Sequence, residues 1–179
     1  MSFIGIVTNL KNEAYMRKEL SKYLKIENII FITEKSINNI KNIKFKTILI
    51  DRDFQEKELL KKIISNSEQL IINADIESNF RILENLDLTV ITYGFNSKST
   101  VTMSSVEEEK AILCLQRSII DINNNKKEPQ EIEISINKNI QIHSVMGMFC
   151  LLLCYNKFRR NIHNIKYFTH MKIQKKIKK

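Results

Sequence analysis

The stretch "INADIESNFRILENLDLTVITYGFNSKSTVTMSSV", residues 72–106, decides the fold. It begins inside an apolar run, "QLIINA", passes through the helix-like "IESNFRILENL" and enters a second run, "LTVITYG". Both runs read as strands flanking the helix. Strand, helix and strand in that order predict neighbouring parallel strands buried on both faces. After Gly94 the composition changes to Val, Thr and Ser, which predicts strands of a different kind.

Working upstream, "FIGIVT" (3–8), "NIIFIT" (28–33) and "KTILID" (46–51) repeat the buried-strand signature. Asn12 is placed to cap a first helix that carries Tyr15, Met16, Leu20, Tyr23 and Leu24 at helical spacing. "EKSINNIKNIKF" reads as a short helix or a loop. "QEKELLKKIISNS" reads as an amphipathic helix with Leu59, Leu60, Ile63 and Ile64 inside. The alternation up to about residue 94 predicts an α/β fold, a mostly parallel sheet flanked by helices and joined by right-handed crossovers.

Downstream, "STVTMSSV", "AILCLQRSIIDI" and "QEIEISI" surround a turn signal, "NNNKK". They predict two or three antiparallel strands extending one edge of the sheet. "IQIHSVMGMFCLLLCYNKF" then predicts a buried helix packing back on it. No repeat or linker interrupts the pattern, so residues 1–156 read as one α/β domain and 157–179 as a basic tail.

The chain has 179 residues, three glycines, one proline and a formal net charge of +9. Much of that excess sits late: from Lys157 onward there are nine Lys or Arg and no acid. Such a tail is either solvated or docks on anionic membrane or nucleic acid, with Lys157, Arg159, Arg160, Lys172, Lys175 and Lys176 as the candidate contacts. Cys114, Cys150 and Cys154 are odd in number and show no C-x-x-C spacing. Cys150 and Cys154, four apart in an apolar run, read as buried helical thiols rather than metal ligands. Free thiols point to a reducing compartment. The opening residues lack the form of a signal peptide, and the apolar run from Val145 to Tyr155 is too short to span a bilayer. A cytoplasmic protein is expected.

Three segments together resemble the central domain of the Mur ligases, the ATP-dependent amide-forming enzymes of peptidoglycan synthesis. "IINADIES" resembles that family's Asn-Ala-Asp-Asp turn through Asn73, Ala74 and Asp75, with Ile76 where the second acid is expected. "VITYGFNSKSTVT" is similar to the next strand and its Tyr/Phe-Gly turn through Tyr93 and Gly94. "EISINKNIQIHSVMGMFCLLL" looks like the returning strand and helix, with His143-Ser144 in place of a His-Asn pair. The resemblance reaches to about Tyr155. It implies a nucleotide-binding fold and a link to the cell envelope or spore wall.

The departures limit what else it implies. A phosphate loop of the G-x-x-x-x-G-K-[ST] type uses glycines to turn successive backbone N–H groups into one concavity, with Lys and a hydroxyl serving phosphate and Mg²⁺. Here the corresponding stretch is "IVTNLKNEAY". Gly5 lies inside the strand, Lys11 has no loop to aim it, and Glu13 would repel a triphosphate. The chain between "KTILID" and "QLIINA" lacks the family's intervening strand and its metal-binding residues. Nothing in the 179 residues corresponds to a substrate-binding or C-terminal ligase domain. The expectation is a truncated, non-catalytic relative that binds a protein partner or retains weak affinity for ATP or another nucleotide. Two alternatives stand beside it: a ligase-type subunit completed by a partner protein, and a basic adaptor working through its tail.

The candidate nucleotide-binding residues are Asn73, Asp75, Tyr93, Gly94 and Lys11. Asn73 and Asp75 end a strand, where open α/β sheets bind ligands; the competing reading is an Asx turn capping the next element. Tyr93, Gly94, Phe95 and Asn96 read as a turn needing positive φ at Gly94, or as a ligand-facing edge. Asp51 and Asp53 in "ILIDRDF" are weak metal candidates, since a phosphoacceptor-type pocket needs further acids that "GIVTNL" does not supply. Lys98 is an exposed turn lysine or an anion contact. His143 has no acid or nucleophile near it in sequence, and Glu107, Glu108 and Glu109 read as a solvated turn.

Overall fold

A computed structural model describes residues 3–107, 110–136 and 141–157. Five strands and three helices alternate first: β1 (Phe3–Val7), α1 (Leu10–Leu20), β2 (Ile29–Ile32), α2 (Ile37–Ile40), β3 (Phe45–Ile50), α3 (Lys57–Ile64), β4 (Gln69–Asn73) and β5 (Thr89–Tyr93). A 3-10 segment, Glu77–Leu83, links β4 to β5. Then come β6 (Val101–Val106), β7 (Lys110–Leu115), the short β8 (Ile119–Ile120) and β9 (Lys126–Lys127), β10 (Gln130–Ser135) and α4 (Ile142–Cys154).

Eight strands form one sheet in the order β10-β7-β6-β5-β4-β3-β1-β2, and β8 pairs with β9 apart from it. Strands β2 through β6 run parallel, while β7 is antiparallel to both β6 and β10. The α/β class expected from the sequence is therefore the one found. Gly5 matters in the middle of β1, because a Cβ there would lie 3.0 Å from Ile32 and 3.1 Å from Phe45. Larger residues would push these neighbours apart.

Two apolar layers hold the sheet. On one face Ile4, Ile6, Leu49, Ile71 and Ile91 pack with Met16 and Leu20 of α1 and with α4. On the other, Val7, Ile48, Ile50, Leu70 and Ile72 pack with Ile37 and Ile40 of α2, Leu60, Ile63 and Ile64 of α3, and Ile82. Each fully buried side chain of this size contributes about 1.5–3 kcal/mol. Helix α4 is buried from Ser144 to Cys154, as its unbroken apolar sequence requires. The antiparallel part is covered on one side only: Ile132 and Ile134 of β10 join the α4 layer, while Glu131 and Glu133 point away from it.

Several expectations are corrected in detail. Asn9, not Asn12, is the N-cap of α1, its side chain accepting the Asn12 N–H at 2.9 Å. The stretch 76–86 holds a 3-10 segment, Glu77–Leu83, rather than an α-helix. Of the two readings of "EKSINNIKNIKF", the short helix is the one found, as the single turn α2. Leu59 is only partly buried, whereas Leu60, Ile63 and Ile64 are inside. "AILCLQRSIIDI" is divided between β7 and β8, and β6 is parallel to β5, meeting it at the single pair Tyr93–Val101 because β6 begins where β5 ends. Among the described residues no helix is long and apolar enough to cross a membrane.

Within the parallel part the order 2-1-3-4-5 places a topological switch between β1 and β3. Helix α1 leaves β1 toward one face there and α3 leaves β3 toward the other. Open α/β sheets bind ligands at the carboxyl ends of the strands beside such a switch.

Candidate functional site

At the carboxyl end of β3, Asp51 is 6% exposed. Its Oδ2 accepts from Ser144 Oγ at 2.8 Å, Thr8 Oγ1 at 3.1 Å and Asn12 Nδ2 at 3.3 Å. Its Oδ1 accepts from the Tyr93 hydroxyl at 3.1 Å. The donors come from the end of β1, from α1, from β5 and from α4. Among the described residues none of them is a cation. Burying a carboxyl group is costly unless hydrogen bonds replace its water, and four neutral donors do so here. Burial, with Asp51 alongside, pushes the Tyr93 hydroxyl's pKa well up, so it stays protonated and donating.

The Asn12 amide also donates to Gln141 Oε1 at 2.6 Å and reaches Ser144 Oγ at 3.1 Å. It thus ties α1 to α4 directly above Asp51. Gly147 allows this packing, since a Cβ there would lie 3.0 Å from the Tyr93 oxygen and 3.1 Å from Leu49.

One strand along, Asp75 forms a second, more open centre. Its Oδ2 accepts the Phe95 N–H at 2.7 Å and contacts His143 Nε2 at 2.9 Å, and its Oδ1 accepts the Asn96 N–H at 3.3 Å. Burial raises the cost of ionising Asp75. The Phe95 N–H, His143 and the Asn96 N–H outweigh it, so the carboxyl lies below the ordinary range. The Phe95 ring stands edge-on to the His143 ring, centroids 5.2 Å apart, and is half exposed. Gly94 adopts φ 153°, and a Cβ on it would fall 2.6–2.8 Å from the Asp75 carboxylate. The glycine is required both by its backbone angle and by the carboxylate pressed against it.

Asn73 is buried, and its Oδ1 accepts the Asp75 N–H at 3.0 Å in an Asx turn; the Asn79 amide donates to the Asn73 carbonyl at 3.3 Å. Tyr93 is wholly buried and faces Asp51 rather than the surface. Lys11 is exposed in the first turn of α1, and Lys98 is exposed with its N–H donating to Asn96 Oδ1. The structure therefore gathers Asn73, Asp75, Tyr93 and Gly94 at one end of the sheet.

Asp51 and Asp53 do not form a shared pocket. The chain leaves β3 at Ile50, so the strand's alternation no longer holds. Asp53 lies exposed, accepting from Ser78 Oγ at 2.7 Å and pairing with Lys57 at 3.4 Å. The Ser78 hydroxyl first, then Lys57, lower its pKa. Among the described residues no three His, Cys, Asp or Glu side chains are grouped to hold a metal. All three cysteines are free and buried. Lys157 is exposed; Glu108, Glu109, Arg159, Arg160, Lys172, Lys175 and Lys176 lie outside the described residues.

Sequence reasoning passed over Thr8, Asn12 as a side-chain donor, Gln141 and the pairing of His143 with Asp75. Partners 39 to 132 residues apart leave no local signal. A surface depression of about 540 Å³, lined by Lys41, Lys44, Asn66 and Glu68 among others, lies at the opposite, amino end of β3 and β4. Compared with protein-family models and with curated proteins, the chain matches none.

Proposed function

We propose that this chain is a non-catalytic binding protein, built on a nucleotide-domain framework of the Mur-ligase type. It acts through a protein partner or through residual affinity for a nucleotide. One observation carries the reading. Strand β1 ends at Val7 and α1 begins at Leu10, so only Thr8 and Asn9 separate them. A phosphate cradle needs a longer glycine-bearing loop whose N–H groups remain unpaired. Here Asn9 takes the Asn12 N–H, and the Asn12 side chain is drawn down onto Asp51.

The rim of Asp75, Phe95 and His143, beside Asn73, is the more accessible part of this end and is where we place the contact. Cytoplasmic residence is supported by the three free cysteines, and a role at the cell envelope or spore wall rests on the sequence resemblance alone. The test is thermal shift with ATP, ADP and a UDP-linked precursor, with and without Mg²⁺. A ligand at 100 times its Kd adds about 2.7 kcal/mol of apparent stability. We expect any nucleotide shift to be independent of Mg²⁺ and lost in Asp75→Asn. A shift that requires both Mg²⁺ and Lys11 contradicts the reading.

A second reading, the basic adaptor, is favoured by charge. Nine of the 29 basic residues and none of the 20 acidic ones lie from Lys157 on, so residues 1–156 are formally neutral and the whole excess sits in the last 23. Binding to anionic vesicles or nucleic acid that falls steeply with salt, and vanishes when 157–179 are removed, supports it. Binding insensitive to salt counts against it.

A further inference from the structure

We infer that the first turn of α4 is a strap over the carboxyl ends of β3 and β4, able to open while the rest of the helix stays docked. Three polar anchors hold it: Gln141 on Asn12 at 2.6 Å, His143 on Asp75 at 2.9 Å and Ser144 on Asp51 at 2.8 Å. Adjacent residues, His143 and Ser144, thus bind acids at the ends of two neighbouring strands. Ile142 and His143 are half-buried and Gln141 is exposed, whereas every residue from Ser144 to Cys154 is buried. The Gln141 side chain does not cap its own helix, because it is committed to α1. Up to Ser144 the turn is held by these hydrogen bonds and by one partly buried apolar side chain, Ile142; the remainder of the helix is held by full apolar burial. Local opening takes the path that uncovers least apolar surface.

Opening bares Asp51, Thr8 and Asn12 beside the topological switch. That surface is acidic, and it suits a neutral or cationic ligand bearing O–H or N–H groups rather than a phosphate. The strap thereby controls access to Asp51, whatever binds at the Asp75 rim.

Amide hydrogen exchange on the full chain tests this without any ligand. The reporter is the Val145 N–H, which bonds to the Gln141 carbonyl at 3.3 Å. It is expected to exchange faster than the amides of β3 and β4. His143→Ala and Gln141→Ala should each accelerate it further while leaving those strands unchanged, His143→Ala by roughly ten-fold or more, the scale of losing one hydrogen bond to a charged group. Exchange of Val145 at the rate of the core strands, or no response to either substitution, overturns the strap. Either result is separate from the nucleotide test of the binding reading.

Discussion

Gly94 shows how one residue sets the geometry of a whole rim. Its hydrogen is all that separates the backbone from Asp75, so Gly94→Ala forces the carboxylate away from the Phe95 and Asn96 N–H groups. Strain and lost hydrogen bonds together predict a destabilisation of about 2–4 kcal/mol by denaturant titration. Acid should act on the same residue. Asp75 and Asp121 both have folded pKa values below the unfolded value of about 3.9. Asp121 is buried, which works against ionisation, but it is held by the Asn125 and Asn123 N–H groups and by Lys127 at 3.4 Å. A depressed carboxyl stabilises the fold above its unfolded pKa and loses that contribution as pH falls through the folded one. Stability should therefore decline from about pH 5 downward, and Asp75→Asn should flatten the decline. An unchanged slope in that variant would remove Asp75 from the account.

At the scale of elements, what the sequence could reveal was set by the range of the forces. The runs "FIGIV", "TILI" and "LIIN" announce strands because burial on both faces acts on every residue within them. Helix α4 was legible for the same reason. The α1 cap was misassigned because Asn9 and Asn12 are both good capping residues. Only the distant Asp51 and Gln141 decide that Asn12 turns inward. The 3-10 form of Glu77–Leu83 was not legible either, since it depends on Asn79 reaching back to the Asn73 carbonyl. Of the candidate site, Asn73, Asp75 and Gly94 could be picked from local turn chemistry; Thr8, Gln141 and Ser144 could not. Helix α4 makes a prediction of its own. Burial raises the Cys150 thiol's pKa well above its ordinary value and Cys154's to about 12. Both should resist a thiol reagent in the native protein and react on unfolding. Rapid native labelling would mean that α4 is not packed as described.

For the whole molecule, the polar groups at the carboxyl end of the parallel strands are turned onto one another, and Asp51 is their centre. Asp51→Asn keeps the shape but sets an amide N–H₂ among donors. We expect a loss of about 2–4 kcal/mol in global stability, as for a buried network deprived of an acceptor. A variant as stable as the unaltered protein would contradict this. The proposed non-catalytic reading draws on the same arrangement: the two-residue link from β1 to α1 leaves the helix end capped from within. The most direct measurement is therefore ATP hydrolysis by the purified full chain with and without Mg²⁺, beside the Lys11→Ala variant. The account predicts no Mg²⁺-dependent turnover in either protein. Mg²⁺-dependent hydrolysis that disappears in Lys11→Ala would contradict it.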